Sequence, residues 1–451
     1  MKLHVTSFLL VTLFYYNICL VGSSGLHEVF TWTRITFVDP DSQFYRPRHA
    51  AISNKNRFTY SGGDAVVFPD DVPVSSTSTM PSLDINAEDS NLEYIYENNV
   101  PMGANRWKNK LFITIPRRRL GVPSTLNYVP IDKPERHNVP LIPYPDLKTN
   151  AVKAPADQEH IVSAYRVAID ACDRLWVADS GVVETLGNQT QLGQQKIVII
   201  DLNTDKIIKT YRFKDSDLTH ATVLTMSVVD VTADNCDDAY AYFPDLAGFG
   251  LVVYSLKQDD SWRVKHNYFY LEPQAGEFRI GGIPFQWNDG IFSAALTDVL
   301  EDGSRDVIFH AMAGTHLYSV STKILKDKEL ATRSYHHDDF KVLGDRGRGS
   351  QTSASDLHKS SGVLFLAMVN QNAVGCWNTN KPFDPKNFDI VQRNDTTMIY
   401  PADLKISGDD IIVLTNTMPV FLYSFLDYDE VNFRVWMNEV KVAVKGTNCD
   451  N

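Results

Sequence analysis

The chain has 451 residues, 43% of them hydrophobic and 22% charged, with a formal net charge of -12. This is the composition of a globular protein with enough apolar mass for a large core. The acidic balance argues against nucleic-acid partners, which need a concentrated basic surface to meet a phosphate backbone.

At the start of the chain, Met1 and Lys2 precede an apolar run from Phe8 to Val21, interrupted only by Tyr15, Tyr16, Asn17 and Cys19 and followed by Gly22, Ser23, Ser24 and Gly25. A basic start, a short apolar core and a small-residue exit predict a secretory signal peptide over 1–25. A membrane anchor needs about 20 apolar residues, and this run is shorter and broken. The mature chain, 26–451, is expected to be one domain, secreted and extracellular, with no membrane association. Residues 69–90, rich in Ser, Thr, Pro and Asp, read as a loop or irregular connection.

From Asn109 onward one unit recurs: a short apolar strand, a turn of small or polar residues, then a second strand often rich in Tyr or Val. Copies begin at Asn109, Asp173, Asp238, Asp306, Gly362 and Asp410, a spacing within or slightly above the range for propeller blades. Each copy reads as the middle of a four-stranded antiparallel sheet. Such a sheet alone leaves both faces wet, so six of them must stack around an axis. The predicted fold is all-β, a six-bladed β-propeller, in preference to a pair of β-sandwiches. Trp176 and Trp377 follow apolar strand residues and read as blade packing.

Two stretches interrupt the pattern. Arg117, Arg118 and Arg119 form a basic run that reads as a solvated loop. Prolines at 130, 134, 140, 143, 145 and 155 forbid helix or central strand and predict a long ordered excursion over one face.

Cys172, Cys236, Cys376 and Cys449 remain after loss of Cys19 with the leader. An even number in an exported chain predicts two disulfides, with three connectivities open. Asn188 and Asn394 begin N-x-[ST] sequons open to glycosylation. His336-His337-Asp338-Asp339 invites a metal reading, but adjacent strand residues point to opposite faces, so no metal is expected. No G-x-S-x-G motif and no glycine-rich phosphate loop is present, and no cofactor is predicted.

Four long strings, 105–130, CDRLWVADSG at 172–181, 344–378 and 400–436, resemble the yellow/major royal jelly proteins of insects, and the likeness covers nearly all of the mature chain. The resemblance implies a six-bladed propeller, secretion, and disulfides Cys172–Cys236 and Cys376–Cys449. It also implies a small aromatic substrate or ligand. Some family members bind serotonin and catecholamines, others act in cuticle pigmentation, and the yellow-f type is described as accelerating conversion of dopachrome to 5,6-dihydroxyindole. This sequence looks most like that last branch.

Ligands of propellers bind where inner strands and their loops converge on the axis. Arg346, between glycines, either holds an anionic group or satisfies carbonyls of a neighbouring blade. By resemblance to amine-binding relatives, Thr352 contacts the ligand, with Asn370 or Asn372 beside it. Asp179 and Asp403 are candidates for moving a proton, or cap turns. The expected activity is dopachrome isomerisation, with binding of aromatic amines as the alternative.

Overall fold

The computed structural model describes residues 25–38, 94–152 and 160–450. Residues 1–24 of the leader, the 69–90 loop and Pro155 lie outside the described residues. Six antiparallel sheets of four strands stand around one axis. Their second strands are Lys110–Thr114, Arg174–Asp179, Tyr240–Asp245, Asp306–Ala311, Val363–Met368 and Asp410–Thr415, each starting within two residues of a sequence repeat. These strands are clamped between neighbouring blades, so both faces are buried and the alternation of a half-exposed strand is lost. Leu111, Phe112, Leu175, Trp176 and Val177 are all inaccessible.

The innermost strands are Gly103–Trp107, Ala164–Ile169, Val228–Asp230, Ile291–Leu296, Thr352–His358 and Pro401–Ser407. Six edges converging on an axis leave little volume, and small residues meet that demand: Ala104, Ala164, Ser293, Ala294, Ser353, Ser355 and Ala402 are buried there.

The ring is closed by backbone pairing as well as by a disulfide. The N-terminal strand His27–Trp32 pairs antiparallel with Phe433–Glu439, Trp32 opposite Phe433 and His27 opposite Met437, so the sixth blade is built from both ends of the chain. Both disulfides match the pairing implied by the resemblance. Cys172–Cys236 links turns of the second and third blades, and Cys376–Cys449 ties the chain end to the fifth blade with a sequence separation of 73. Replacing Cys376 and Cys449 by Ser releases a loop of that length, and the unfolding free energy is expected to fall by about 4 kcal/mol. A lower guanidinium midpoint with an unchanged native circular dichroism spectrum is the result to look for.

The proline-rich stretch does more than cross a face. Leu126–Pro130 and Ile142–Pro143 are the outer two strands of the first blade, with Pro143 on the edge, where no ladder donor is needed. The segment between them runs beside the N-terminus, with parallel bridges Thr31–His137 and Phe37–Leu141.

Two hairpins stand outside the sixfold plan: a short one pairing Val182–Val183 with Thr190–Gln191, and a longer one, Glu277–Ile280 paired with Ile283–Gln286. Gly281 and Gly282 turn it, both at positive φ (59° and 82°), the requirement of a two-residue turn whose twist matches its strands. A Cβ on Gly281 would also stand 3.0 Å from Val420. The longer hairpin is tethered to the fifth blade: Arg279 donates its backbone N–H to Asn370 Oδ1 (2.8 Å), and Gln351 Nε2 donates to the Ala275 carbonyl (2.9 Å).

Candidate functional site at the upper end of the axis

The innermost strands begin at the upper end of the axis, and there loops from four blades bring aromatic and charged side chains together beside the hairpin. Arg118 reaches in from the first blade. Its guanidinium lies 5.1 Å from the centre of the Tyr165 ring, and its Nη1 is 3.0 Å from Met418 Sδ. Trp287 stacks on Tyr400 (6.3 Å, 18°) and meets Phe285 edge-on at 5.7 Å, while Phe285 packs 5.2 Å from Tyr423.

Asp289 sits among them. Burial pushes its carboxyl up to about 7, held from rising further by Arg118 and a hydrogen bond from the Trp287 side chain. Burial also raises the Tyr400 and Tyr423 hydroxyls, with Asp289 adding to both shifts. Asp289, Arg118, Trp287 and Tyr423 nevertheless each keep part of their surface open to solvent. A carboxyl that titrates near neutrality, sits beside a cation and can be reached from outside is equipped to take and return a proton.

Below this group the axis is plugged. Arg166 Nε stands 3.4 Å from Asp403 Oδ1, and neither side chain is exposed by more than 1%. Arg166 Nη2 donates to the Ala402 carbonyl (2.5 Å) and its guanidinium covers the Phe292 ring at 5.0 Å. Asp403 accepts from the backbone N–H groups of Ala104 (3.1 Å) and Leu404 (3.0 Å). Burial outweighs the pairing for both: the Asp403 carboxyl is raised and the Arg166 guanidinium lowered from their ordinary values.

The residues singled out in the sequence are scattered. Asp403 is on the axis. Arg346 is not free to point there: Nε donates to Thr315 O (2.9 Å), Nη2 to Gly314 O (3.0 Å), and Nη1 to Ser350 O (2.8 Å) and Thr352 Oγ1. This is the carbonyl-satisfying alternative, and burial lowers the guanidinium to about 10 against the pull of Glu272 and Asp345. Thr352 is fully buried and donates to Ser350 O at 2.7 Å. Asn370 holds the hairpin. Asn372, at φ 48°, donates to Asp395 Oδ1 (3.1 Å). Asp179 accepts from the N–H groups of Val162 (2.9 Å), Ser163 (2.8 Å) and Gly181 (3.1 Å), and Lys196 stands 3.6 Å away. It braces the entry to the innermost strand of the second blade.

The basic run divides three ways rather than lying solvated. Arg117 is buried and donates to the carbonyls of Val122 (3.0 Å) and Pro123 (2.9 Å), Arg118 reaches the axis, and Arg119 covers Phe421 at 4.4 Å. Asn188 and Asn394 are on exposed loops. His336 is buried while His337 is exposed, and among the described residues no group of three or more His, Cys, Asp or Glu is placed to hold a metal. No described helix is long and apolar enough to cross a membrane.

The family model for major royal jelly proteins matches residues 162–449. The chain belongs to the major royal jelly protein family. Over 359 residues it is 42% identical to L-dopachrome tautomerase yellow-f of Drosophila melanogaster, covering 79% of this chain and 83% of that one. It is 40% identical to Protein yellow of Drosophila yakuba and 39% identical to Protein yellow of Drosophila melanogaster, in each case covering 79% of this chain and 66% of the relative. The match thus spans slightly under two thirds of the yellow proteins' own length. In this royal jelly family member, the axial residues that the sequence did not single out include Arg118 and Asp289. Both occur in strings, Arg117-Arg118-Arg119 and Trp287-Asn288-Asp289-Gly290, that read locally as a charged loop and a turn.

Proposed function

We propose that this protein accelerates the rearrangement of L-dopachrome to a 5,6-dihydroxyindole-type product at the upper axial site, outside the cell. The observation that carries the reading is the convergence of Asp289 and Arg118 within the aromatic group of Trp287, Tyr400 and Tyr423. Dopachrome supplies its own electron sink, an iminochrome ring conjugated to the carbon that bears the carboxylate. The rearrangement needs loss of a proton or of carbon dioxide at that carbon and reprotonation elsewhere. Asp289 takes and returns the proton, Arg118 meets the carboxylate or a quinone oxygen, and the rings flank the flat substrate. In this reading Asp403 and Arg166 form the floor, Arg346 and Thr352 the wall, and Asn370 fixes the covering hairpin. The reaction proceeds unaided in water, so a few kcal/mol of barrier lowering registers as activity. Two disulfides and the leader-like N-terminus support an extracellular setting.

The rival reading, an aromatic-amine carrier, asks for a site that welcomes an ammonium group. Arg118 and Arg166 both face this region. Arg166 is paired with Asp403, while Arg118 makes no ion-pair contact among the described residues, although its charge reaches Asp289. This favours an anionic ligand over a cationic one. The test compares dopachrome with its carboxylate-free counterpart derived from dopamine, following absorbance with purified protein. Faster decay of dopachrome alone is expected. Equal acceleration of both removes the role given to Arg118, and calorimetric binding of dopamine or serotonin without turnover favours the carrier.

A further inference from the structure

The lower end of the axis, where the innermost strands finish, holds a cavity of about 420 Å³ that the proposed reaction does not use. All six blades contribute to its wall, among them Asn105, Ile169, Val228, Leu296, Leu357 and Ile406. That volume falls within the range of small-molecule sites, and polar and apolar residues share the wall about equally.

Two polar side chains in the wall make no direct hydrogen bond among the described residues. Lys405 is only 6% exposed and lines the cavity; its charge reaches the Asp403 carboxyl, but its ammonium makes no direct hydrogen bond or ion-pair contact among the described residues. Asp403, two positions earlier on the same strand, is engaged by Arg166 and by the N–H groups of Ala104 and Leu404. The Ser227 hydroxyl, on a residue 1% exposed, also lines the cavity and is unpaired. The carboxylates nearby are already engaged: Asp356 accepts from the N–H groups of Leu357 (2.9 Å) and Ile406 (2.8 Å), and Asp409, 89% exposed at the rim, lies 3.2 Å from His358 Nε2. Lys359 adds a second cation at the mouth, with no ion pair among the described residues. A largely buried ammonium with no acceptor in direct contact keeps donors free for an anionic group in the cavity.

We infer that the lower cavity is a binding site for a small carboxylate-bearing molecule, whose anionic group meets Lys405 and Ser227 and whose apolar body lies against Ile169, Val228 and Leu296. The site is separate from the proposed reaction, since the Arg166–Asp403 plug stands between the two ends. Being closed by protein at its inner end, it is entered from the lower face, past Lys359.

Calorimetric titration of the secreted, full-length protein with benzoate, benzyl alcohol and benzylamine tests this. Benzoate is expected to bind and the other two not. Lys405→Met is expected to weaken benzoate at least about tenfold, while Lys405→Arg keeps most of the affinity. Arg118→Ala separates the two ends. Benzoate binding that survives this change and is lost in Lys405→Met supports the lower site even where dopachrome conversion is absent. Binding lost in Arg118→Ala and untouched in Lys405→Met overturns the lower site and leaves the upper one standing. Benzylamine binding as tightly as benzoate, or no benzoate binding at all, also overturns it. Should Lys405→Met not fold, the exposed Lys359→Met is expected to weaken benzoate about threefold at low salt, and an unchanged affinity there counts against the proposal.

Discussion

Asp289→Asn is expected to slow dopachrome conversion by about 100-fold or more with the propeller intact, the usual scale for loss of a positioned acid–base group. The wild-type rate should fall as the pH drops below about 7, where the carboxyl becomes protonated and stops accepting protons. The same group fixes the sign of a stability effect. Its folded value is raised above that of the unfolded chain, so the folded state binds the proton more tightly. The stabilisation is complete below the ordinary carboxylate range and is lost as the pH rises through about 7. At pH 8 the native protein therefore carries a strained carboxylate, and the Asn variant is expected to melt higher there, by on the order of 2 kcal/mol after allowance for the part-exposed side chain. The advantage should vanish near pH 4. A purely structural Asp289 would lose rate and melting temperature together, whereas the proposed role predicts slower turnover in a more stable protein. Arg118→Ala should act mainly on KM, raising it about tenfold or more.

The largest stability effect is expected at the plug. Arg166→Met leaves the buried Asp403 carboxylate with Lys405 as its remaining nearby cation, a change that costs up to about 3–5 kcal/mol. Asp403→Asn in the same chain removes the stranded charge while keeping an oxygen for the Ala104 N–H, so the double variant is expected to be more stable than Arg166→Met alone. Guanidinium unfolding of the two single variants and the double completes the cycle. Simple additivity would mean that the two residues do not act as a pair. The protonation state also enters: in Arg166→Met the already raised Asp403 carboxyl rises further, so the deficit should shrink as the pH is lowered.

The sixfold plan was legible because the second strand of every blade is buried on both faces and must be apolar, which writes the repeat directly into the chain. The disulfide pairing followed from family resemblance, not from the spacing of the cysteines. Closure by His27–Trp32 was not legible: a six-residue strand has no local mark that names a partner near residue 435. At the site, the residues chosen for motif and turn chemistry were mostly framework. Arg346 illustrates the difficulty, since a glycine-flanked arginine is equally suited to a ligand or to carbonyls, and only the packing of Gly314, Thr315 and Ser350 around it decides. Arg118 was masked by its neighbours, because three consecutive arginines in a loop meet three different environments only once the blades have assembled. Asp289 was masked by a tripeptide, Asn-Asp-Gly, that favours turns whatever else it does.

Ring closure bears on how the protein is made. The strand that seals the last blade leaves the ribosome early, and its mate at Phe433–Glu439 is among the last parts of the chain to follow. Until then the sixth sheet lacks its outer edge, and His27–Trp32 waits as a bare hydrogen-bonding edge through nearly the whole of translation. A chain interrupted before residue 433 cannot complete the circle, so one end of the sixth sheet stays unpaired for as long as the other is still being built.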